Sequence, residues 1–129
     1  MEVMAVTNDA IDAALSRGHT IDITTTGRRS GRPRRIEIVF HNIGGRIYIS
    51  GTPARNKRDW LLNLEAQPDF TFHLKGRLKA DLPATARVIA DETERREVLP
   101  FVARNWGRDD LEQMVRYSPL IEVTFPNRA

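Results

Sequence analysis

Five arginines fall within residues 28–35 of the stretch ITTTGRRSGRPRRIEI. Like charges this close together repel one another, so the composition predicts an anionic ligand at this turn. Guanidinium groups bind phosphate and carboxylate oxygens through paired hydrogen bonds. Gly27 and Gly31 let the backbone approach an anion, and Ser30 adds a hydroxyl donor. The arginines expected to contact the anion are Arg28, Arg29 and Arg34.

Two other interpretations of these residues stay open at this level. The arginines could form a solvated basic hairpin, or a surface for nucleic acid. Nucleic-acid surfaces usually add exposed aromatic side chains for base stacking, and the turn has none nearby, so we do not expect that partner. Strand alternation places Arg34 on the inward side with Ile36, whereas Arg35 faces away. We therefore expect Arg32 and Arg35 to face solvent or a partner chain.

Several kinds of catalytic site are excluded by residue type or spacing. The chain has no cysteine, which excludes disulfides, thiolate metal sites and cysteine nucleophiles. Its histidines, His19, His41 and His73, lack the spacing of a zinc site, so no metal is expected. His73 is expected to be exposed or hydrogen-bonded. Neither a phosphate-loop motif nor a nucleophile elbow is present. The sequence thus contains no evident side-chain catalyst.

Composition indicates one ordinary globular domain spanning residues 1–129. The chain is 40% hydrophobic and 29% charged, with a formal net charge of +3, and this balance is typical of a folded domain of this length. No apolar run is long enough to cross a bilayer, and the N-terminus lacks a signal-peptide core. We therefore expect a cytoplasmic protein with no membrane partner.

The elements that would hold the arginine turn are mainly antiparallel strands. Alternating β-branched residues predict strands at TIDITTT, RRIEIVF and RIYIS, with HNIGG as the hairpin between the last two. Helical spacing follows at DWLLNLEA, then strands at DFTFHLK and ATARVIA, two helical segments after Asp91, and a final strand LIEVTF. A short helix over residues 8–17 comes first, capped by Asn8 or Asp9. This order predicts an α+β fold, a small antiparallel barrel with helices outside.

Two segments together resemble a known family. TTTGRRSGRPR, followed two strands later by DWLLNLEAQPDF, is similar to the deazaflavin-dependent nitroreductases, which are split β-barrels related to the FMN-binding pyridoxamine-phosphate-oxidase-like proteins. The resemblance runs from about Ile21 to Val98 and more weakly to Phe125. It implies that the turn holds the phosphate-bearing tail and ring edge of a cofactor. The residues implied at the cofactor are Arg28, Arg29, Ser30, Gly31, Arg34, Ser50, Gly51, Thr52, Pro53, Trp60 and Asn63.

The resemblance also implies an enzyme whose cofactor performs the chemistry, because a flavin or deazaflavin ring carries the hydride itself. The expected function is transfer of hydride from reduced F420 to a quinone, enone or nitro compound. FMN in the same place, or a carrier protein without activity, are the alternatives. Tyr117 is the one candidate for a catalytic proton donor. A homodimer is expected, since barrels of this type commonly pair.

Overall fold

The computed structural model describes residues 7–18 and 20–128, in which six antiparallel strands close into a barrel and four helices pack around it. Residues 1–6, His19 and Ala129 lie outside this description. The strands follow one another around the barrel in the order β1-β2-β3-β6-β5-β4. The elements in chain order are α1 (Asn8–Arg17), β1 (Thr20–Thr26), β2 (Pro33–Ile43), β3 (Arg46–Ser50), α2 (Asp59–Ala66), β4 (Asp69–Lys75), β5 (Lys79–Val88), α3 (Glu92–Trp106), α4 (Leu111–Tyr117) and β6 (Leu120–Thr124).

The predicted order of elements is confirmed, with local differences at their ends. Helix α1 is capped by Thr7, whose hydroxyl accepts from the Ala10 N–H, rather than by the two residues that follow it. Thr7 is an equally good capping residue type, so sequence alone cannot choose among neighbours. Strand β5 begins five residues before Ala84, because Lys79 to Pro83 continue the pairing with β4.

Two apolar clusters hold the barrel and its helices together. Inward-facing residues such as Ile23, Phe40 and Phe72 fill the barrel. A second cluster, which includes Tyr48 and Leu99, lies between the outer face of β3 and the helices α3 and α4. Strand β3 is therefore buried on both faces, which explains why its three central residues, Ile47, Tyr48 and Ile49, are apolar one after another.

Charged residues cover the outer face of β1, β2 and β4. Arg35 donates to the Asp22 carboxylate at 2.9 Å, and Lys75 bridges Asp22 and Glu37. The hydrogen bond from Lys75, followed by that from Arg35, holds the pKa of Asp22 below its usual value. Arg35 thus faces away from the barrel and toward solvent as predicted, and it also pairs with Asp22 of its own chain.

His73 lies on this same outer face and is buried and hydrogen-bonded. Its ring nitrogens contact the Thr24 hydroxyl at 2.6 Å and the Asp81 carboxylate at 2.7 Å. The prediction of a hydrogen-bonded histidine is therefore confirmed, and the exposed alternative is wrong. No group of histidines and acids in the described part of the chain could hold a metal ion.

Candidate cofactor-binding cleft

The arginine turn joins β1 to β2 and is closed by its own backbone. The Gly27 N–H donates to the Arg32 carbonyl and the Gly31 N–H to the Gly27 carbonyl, each at 2.8 Å. Gly31 has φ +69°, a conformation that favours glycine. A Cβ added to Gly27 would lie 2.7 Å from the Ser30 hydroxyl oxygen. The two glycines therefore serve the turn differently, one by conformation and one by close packing.

Asn63 on α2 fastens this turn to the helix. Its amide oxygen accepts from the Arg28 backbone N–H and from the Arg28 guanidinium, each at 3.1 Å. Its amide nitrogen donates to the Thr25 hydroxyl at 3.1 Å. Asn63 is 4% exposed and Thr25 2%, so these partners replace water that neither group can reach. The amide thus sets the position of the turn relative to α2.

A cleft of about 480 Å³ opens between the turn and α2, and we call it the arginine-turn cleft. This volume is in the range of small-molecule and cofactor sites. Its walls combine cationic and apolar side chains, so the cleft suits a ligand that has both an anionic and an apolar part. The lining residues are Thr25, Gly27, Arg28, Arg29, Ser30, Arg34, Ile36, Asp59, Trp60 and Asn63.

The three arginines of the cleft are not equivalent. Arg28 is held by Asn63 and by the Asp59 carboxylate at 3.3 Å. Within the described residues, the guanidinium groups of Arg29 and Arg34 have no carboxylate at salt-bridge distance. A cationic side chain that lines a cleft and has no counter-ion favours an anionic ligand there. The positive charges of Arg29 and Arg34 are thus available to a ligand, whereas the charge of Arg28 is already partly neutralised by Asp59.

Comparison with known proteins assigns the chain to a family. The family model of the F420H(2)-dependent quinone reductases matches residues 2–123. The chain belongs to this family. It is an oxidoreductase that takes its reducing equivalents from the reduced deazaflavin F420. The resemblance noted in the sequence to deazaflavin-dependent reductases is therefore confirmed.

Solved structures support the fold. The barrel is similar to an F420-H2 dependent reductase with a TM-score of 0.59 and 20% identity, covering 81% of this chain and 93% of that one. A candidate pyridoxamine 5′-phosphate oxidase from Listeria innocua gives 0.66 at 14% identity, covering 92% and 93%. A protein described as a domain-swapped dimer gives 0.62 at 18% identity, covering 90% and 95%. The predicted split-barrel fold is thereby confirmed.

Six of the residues predicted at the cofactor of this reductase line the arginine-turn cleft together. The four other lining residues are Thr25, Gly27, Ile36 and Asp59, and of these only Gly27 was given a part in anion binding from sequence. Ile36 could have been found, since it shares strand parity with Arg34. Asp59 gave no such signal, because an acid at the first position of a helix is common for reasons of helix capping and dipole alone.

Ser50, Gly51, Thr52 and Pro53 are not among the residues that line this cleft. Ser50 is buried and donates to the Pro119 carbonyl at 2.6 Å. A Cβ on Gly51 would lie 2.9 Å from the Pro119 ring. The end of β3 therefore packs on the start of β6, and the role predicted for these four residues at the cofactor stays a prediction. Gly31 also lies outside the lining residues and acts through the shape of the turn.

Tyr117 lies apart from the arginine-turn cleft. It is half-exposed at the end of α4 and lines a different cleft together with Arg55 and Lys57. Its backbone carbonyl accepts from the Ala54 N–H at 3.1 Å. Tyr117 is thus not among the residues that line the arginine-turn cleft, and its catalytic role also stays a prediction. In the described part of the chain, no helix is both long and apolar enough for a membrane span.

Proposed function

We propose that the arginine-turn cleft binds the F420 of this reductase, with Arg29 and Arg34 on its phosphate. The observation that carries the proposal is the pair of cleft-lining guanidinium groups that have no carboxylate partner among the described residues. A phosphate would supply the missing negative charge through charge-assisted hydrogen bonds. The Ser30 hydroxyl accepts from the Arg32 N–H at 3.1 Å and keeps its own proton to donate.

The residues present fit a cofactor that is flat at one end and anionic at the other. Trp60 and Ile36 give the cleft apolar wall, and both also pack against the barrel core. An aromatic ring held by the core is a rigid surface for a planar ring system. When bound, the reduced deazaflavin supplies the hydride. The protein's residues would bind and orient the cofactor and keep water from its ring. This division of roles agrees with the absence of an evident side-chain catalyst in the sequence.

Asn63 and Asp59 have supporting parts in this proposal. Asn63 positions the turn through Arg28 and Thr25 and need not contact the cofactor. Asp59 neutralises part of the Arg28 charge. The cofactor's phosphate would therefore meet two uncommitted arginines and a third whose orientation is fixed, an arrangement that favours one register of binding over sliding along the turn.

Quinones are the acceptors we propose, following the description of the matched family. Reduction of a quinone to a hydroquinone takes one hydride and one proton, so a proton source is also needed. Enones and nitro compounds are the other acceptors we would test. A homodimer is also proposed, because a structure with the same fold is a domain-swapped dimer. We further propose that the whole chain forms one cytoplasmic domain.

The test is a fluorescence titration with F420 and, in parallel, with FMN. We expect F420 to bind and Arg34→Ala or Arg29→Ala to weaken it about 10- to 100-fold, the value of one or two charge-assisted hydrogen bonds. Arg32→Ala is the matched control, since Arg32 belongs to the same turn but does not line the cleft. Equal losses in Arg32→Ala and Arg34→Ala would contradict the assignment.

Tighter binding of FMN than of F420 would instead favour the flavin alternative. The acceptor is tested by mixing the enzyme with reduced F420 and a quinone, and following the return of the oxidised deazaflavin absorbance. Failure of quinones, enones and nitro compounds alike, with F420 binding intact, would favour the carrier alternative.

A further inference from the structure

A second cleft of about 600 Å³ lies on the other side of α2, and we call it the rear cleft. Leu61 and Glu65 face it from α2, whereas Trp60 and Asn63 face the arginine-turn cleft. These pairs stand on opposite sides of a helix with 3.6 residues per turn. The rest of its wall comes from residues 54–58, residues 88–90, the start of α3 and residues 115–120. The two clefts are thus separate sites divided by one helix.

The back of the rear cleft contains a buried cation. Arg95 is 8% exposed, and its guanidinium donates to the carbonyls of Val115, Ile89, Met114 and Ser118 at 2.5 to 3.0 Å. It has no carboxylate at salt-bridge distance in the described residues, and burial lowers its pKa. Carbonyl dipoles satisfy its N–H groups but leave its net charge uncompensated. A positive potential therefore persists at the back of the rear cleft.

The same wall contains a hydroxyl without a partner in the described part of the chain. Ser118 lines the rear cleft and is 4% exposed, and its hydroxyl oxygen forms no hydrogen bond with any described residue. Buried polar side chains are nearly always paired, so such a group marks a place where a ligand or water completes the bonding. A serine hydroxyl beside a buried cation would donate to an anion.

The rim of the rear cleft adds cations whose charge is free. Lys57 is neutralised by Glu65 at 2.9 Å, and Glu92 by Arg96 at 3.1 Å. The other basic side chains outside the buried wall are Arg55, Arg58 and Arg116, and none of them has a carboxylate at salt-bridge distance among the described residues. Arg58 donates to the Thr52 hydroxyl at 2.8 Å, which leaves Arg55 and Arg116 for a ligand. Both acids of this cleft are thus already paired, and the unpaired charge is positive.

Apolar residues form the rest of the surface. Leu61, Ile89, Val115 and Leu120 are buried core residues that also line this cleft. A fully ionic or strongly hydrated ligand would leave this surface exposed to water, whereas an apolar body would cover it. The ligand that matches both parts of the cleft is an apolar molecule with one anionic end.

We propose that the rear cleft binds a small apolar molecule carrying one carboxylate, held by Arg55, Arg116 and the Ser118 hydroxyl, separately from the arginine-turn cleft. Arg95 acts at a distance here: it supplies potential and fixes the wall, since four of its five N–H donors are already used. The proposal does not depend on which cofactor the other cleft takes.

The test compares 2-naphthoate with 2-naphthamide, two probes of nearly equal shape that differ in charge. Binding to the full chain is measured by isothermal titration calorimetry, and protein-observed NMR locates it. We expect naphthoate to bind at least about 10-fold more tightly than the amide, since one charge-assisted hydrogen bond is worth that factor or more. The shifted amide signals should belong to residues 54–58 and 115–120.

Matched variants separate the two clefts. The double variant Arg55→Ala with Arg116→Ala should lose at least about 10-fold in naphthoate affinity and leave naphthamide unchanged. Ser118→Ala should lower naphthoate affinity by a smaller factor. Arg29→Ala, which alters only the arginine-turn cleft, should have no effect.

Three results would overturn the proposal. Equal affinities for the two probes would mean that the anion is not recognised. Loss of naphthoate binding in Arg29→Ala would place the probe in the other cleft. No detectable binding of naphthoate at millimolar concentration would mean that the rear cleft is not a site for this class of ligand.

Discussion

Replacing Asn63 with alanine tests whether α2 holds the arginine turn in place. The change removes three hydrogen bonds of 3.1 Å and leaves the buried Thr25 hydroxyl and the Arg28 N–H without partners. A hydrogen bond contributes about 1 kcal/mol net, and a polar group stranded in the interior costs about 1–3 kcal/mol. We therefore expect the free energy of unfolding to fall by about 2–4 kcal/mol.

Urea denaturation followed by tryptophan fluorescence measures this loss. With a slope of about 2 kcal/mol per molar urea, the middle of the range for small proteins, the midpoint should move down by about 1–2 M. F420 affinity should fall as well, since the turn would no longer be fixed relative to Trp60. Asn56→Ala is the control for stability, because Asn56 is exposed and its removal should change the free energy of unfolding by less than about 0.5 kcal/mol.

Asn63→Asp separates the position of the turn from its charge. The carboxylate still accepts from Arg28, and the Thr25 hydroxyl can turn to donate to it, so most of the stability should return. The added negative charge beside the proposed phosphate site should nevertheless keep F420 affinity low. A wild-type urea midpoint for Asn63→Ala would refute the reasoning, as would full recovery of F420 affinity in Asn63→Asp.

Three other changes test features that the structure makes specific. Gly27→Ala should weaken F420 binding several-fold, because the new Cβ would lie 2.7 Å from the Ser30 hydroxyl oxygen. Gly76→Ala is the control, since it has open space around it and should leave F420 binding unchanged; equal titration curves for the two variants would refute this. Arg95→Lys should lower the free energy of unfolding by at least about 3 kcal/mol in urea denaturation, since an ammonium group cannot donate to all four carbonyls that the guanidinium holds. A smaller loss would show that water takes over these hydrogen bonds. Burial lowers the pKa of His41 in the folded state, so the unfolded state binds a proton more readily and the free energy of unfolding should fall as pH drops below about 6.5. Thermal unfolding measured between pH 8 and 5 should show this fall, and His41→Phe should make it smaller.

The course of the chain could be predicted from sequence because its strands alternate so clearly. Ile21 and Ile23 alternate with outward-facing residues in β1, as Phe72 does in β4, and all three are fully buried in the barrel. Ends of elements were less certain, as at Thr7, because several adjacent residues can make the same capping hydrogen bond. Strand parity also placed Arg34 beside Ile36 on the inward side, and the structure finds both in one cleft.

What sequence could not supply was which polar groups are already used. Asn63, Ser50 and Arg28 all carry donors or acceptors that suit a ligand, yet the structure commits them to Thr25, Pro119 and Asp59. Such pairings join residues far apart in the chain and depend on barrel closure. Arg95 is the clearest case, since nothing in a helix with charged neighbours distinguishes a buried arginine from an exposed one.

The last strand closes the barrel by joining two strands from distant parts of the chain. β6 pairs with β3 on one side and with β5 on the other. A growing polypeptide that has not yet reached Leu120 would therefore carry two unpaired edges, and exposed edges recruit strands from other molecules. Pairing Ser50 with Leu120 also requires closure of a long loop, which slows folding. During synthesis the chain should thus be most prone to aggregation just before β6 emerges from the ribosome.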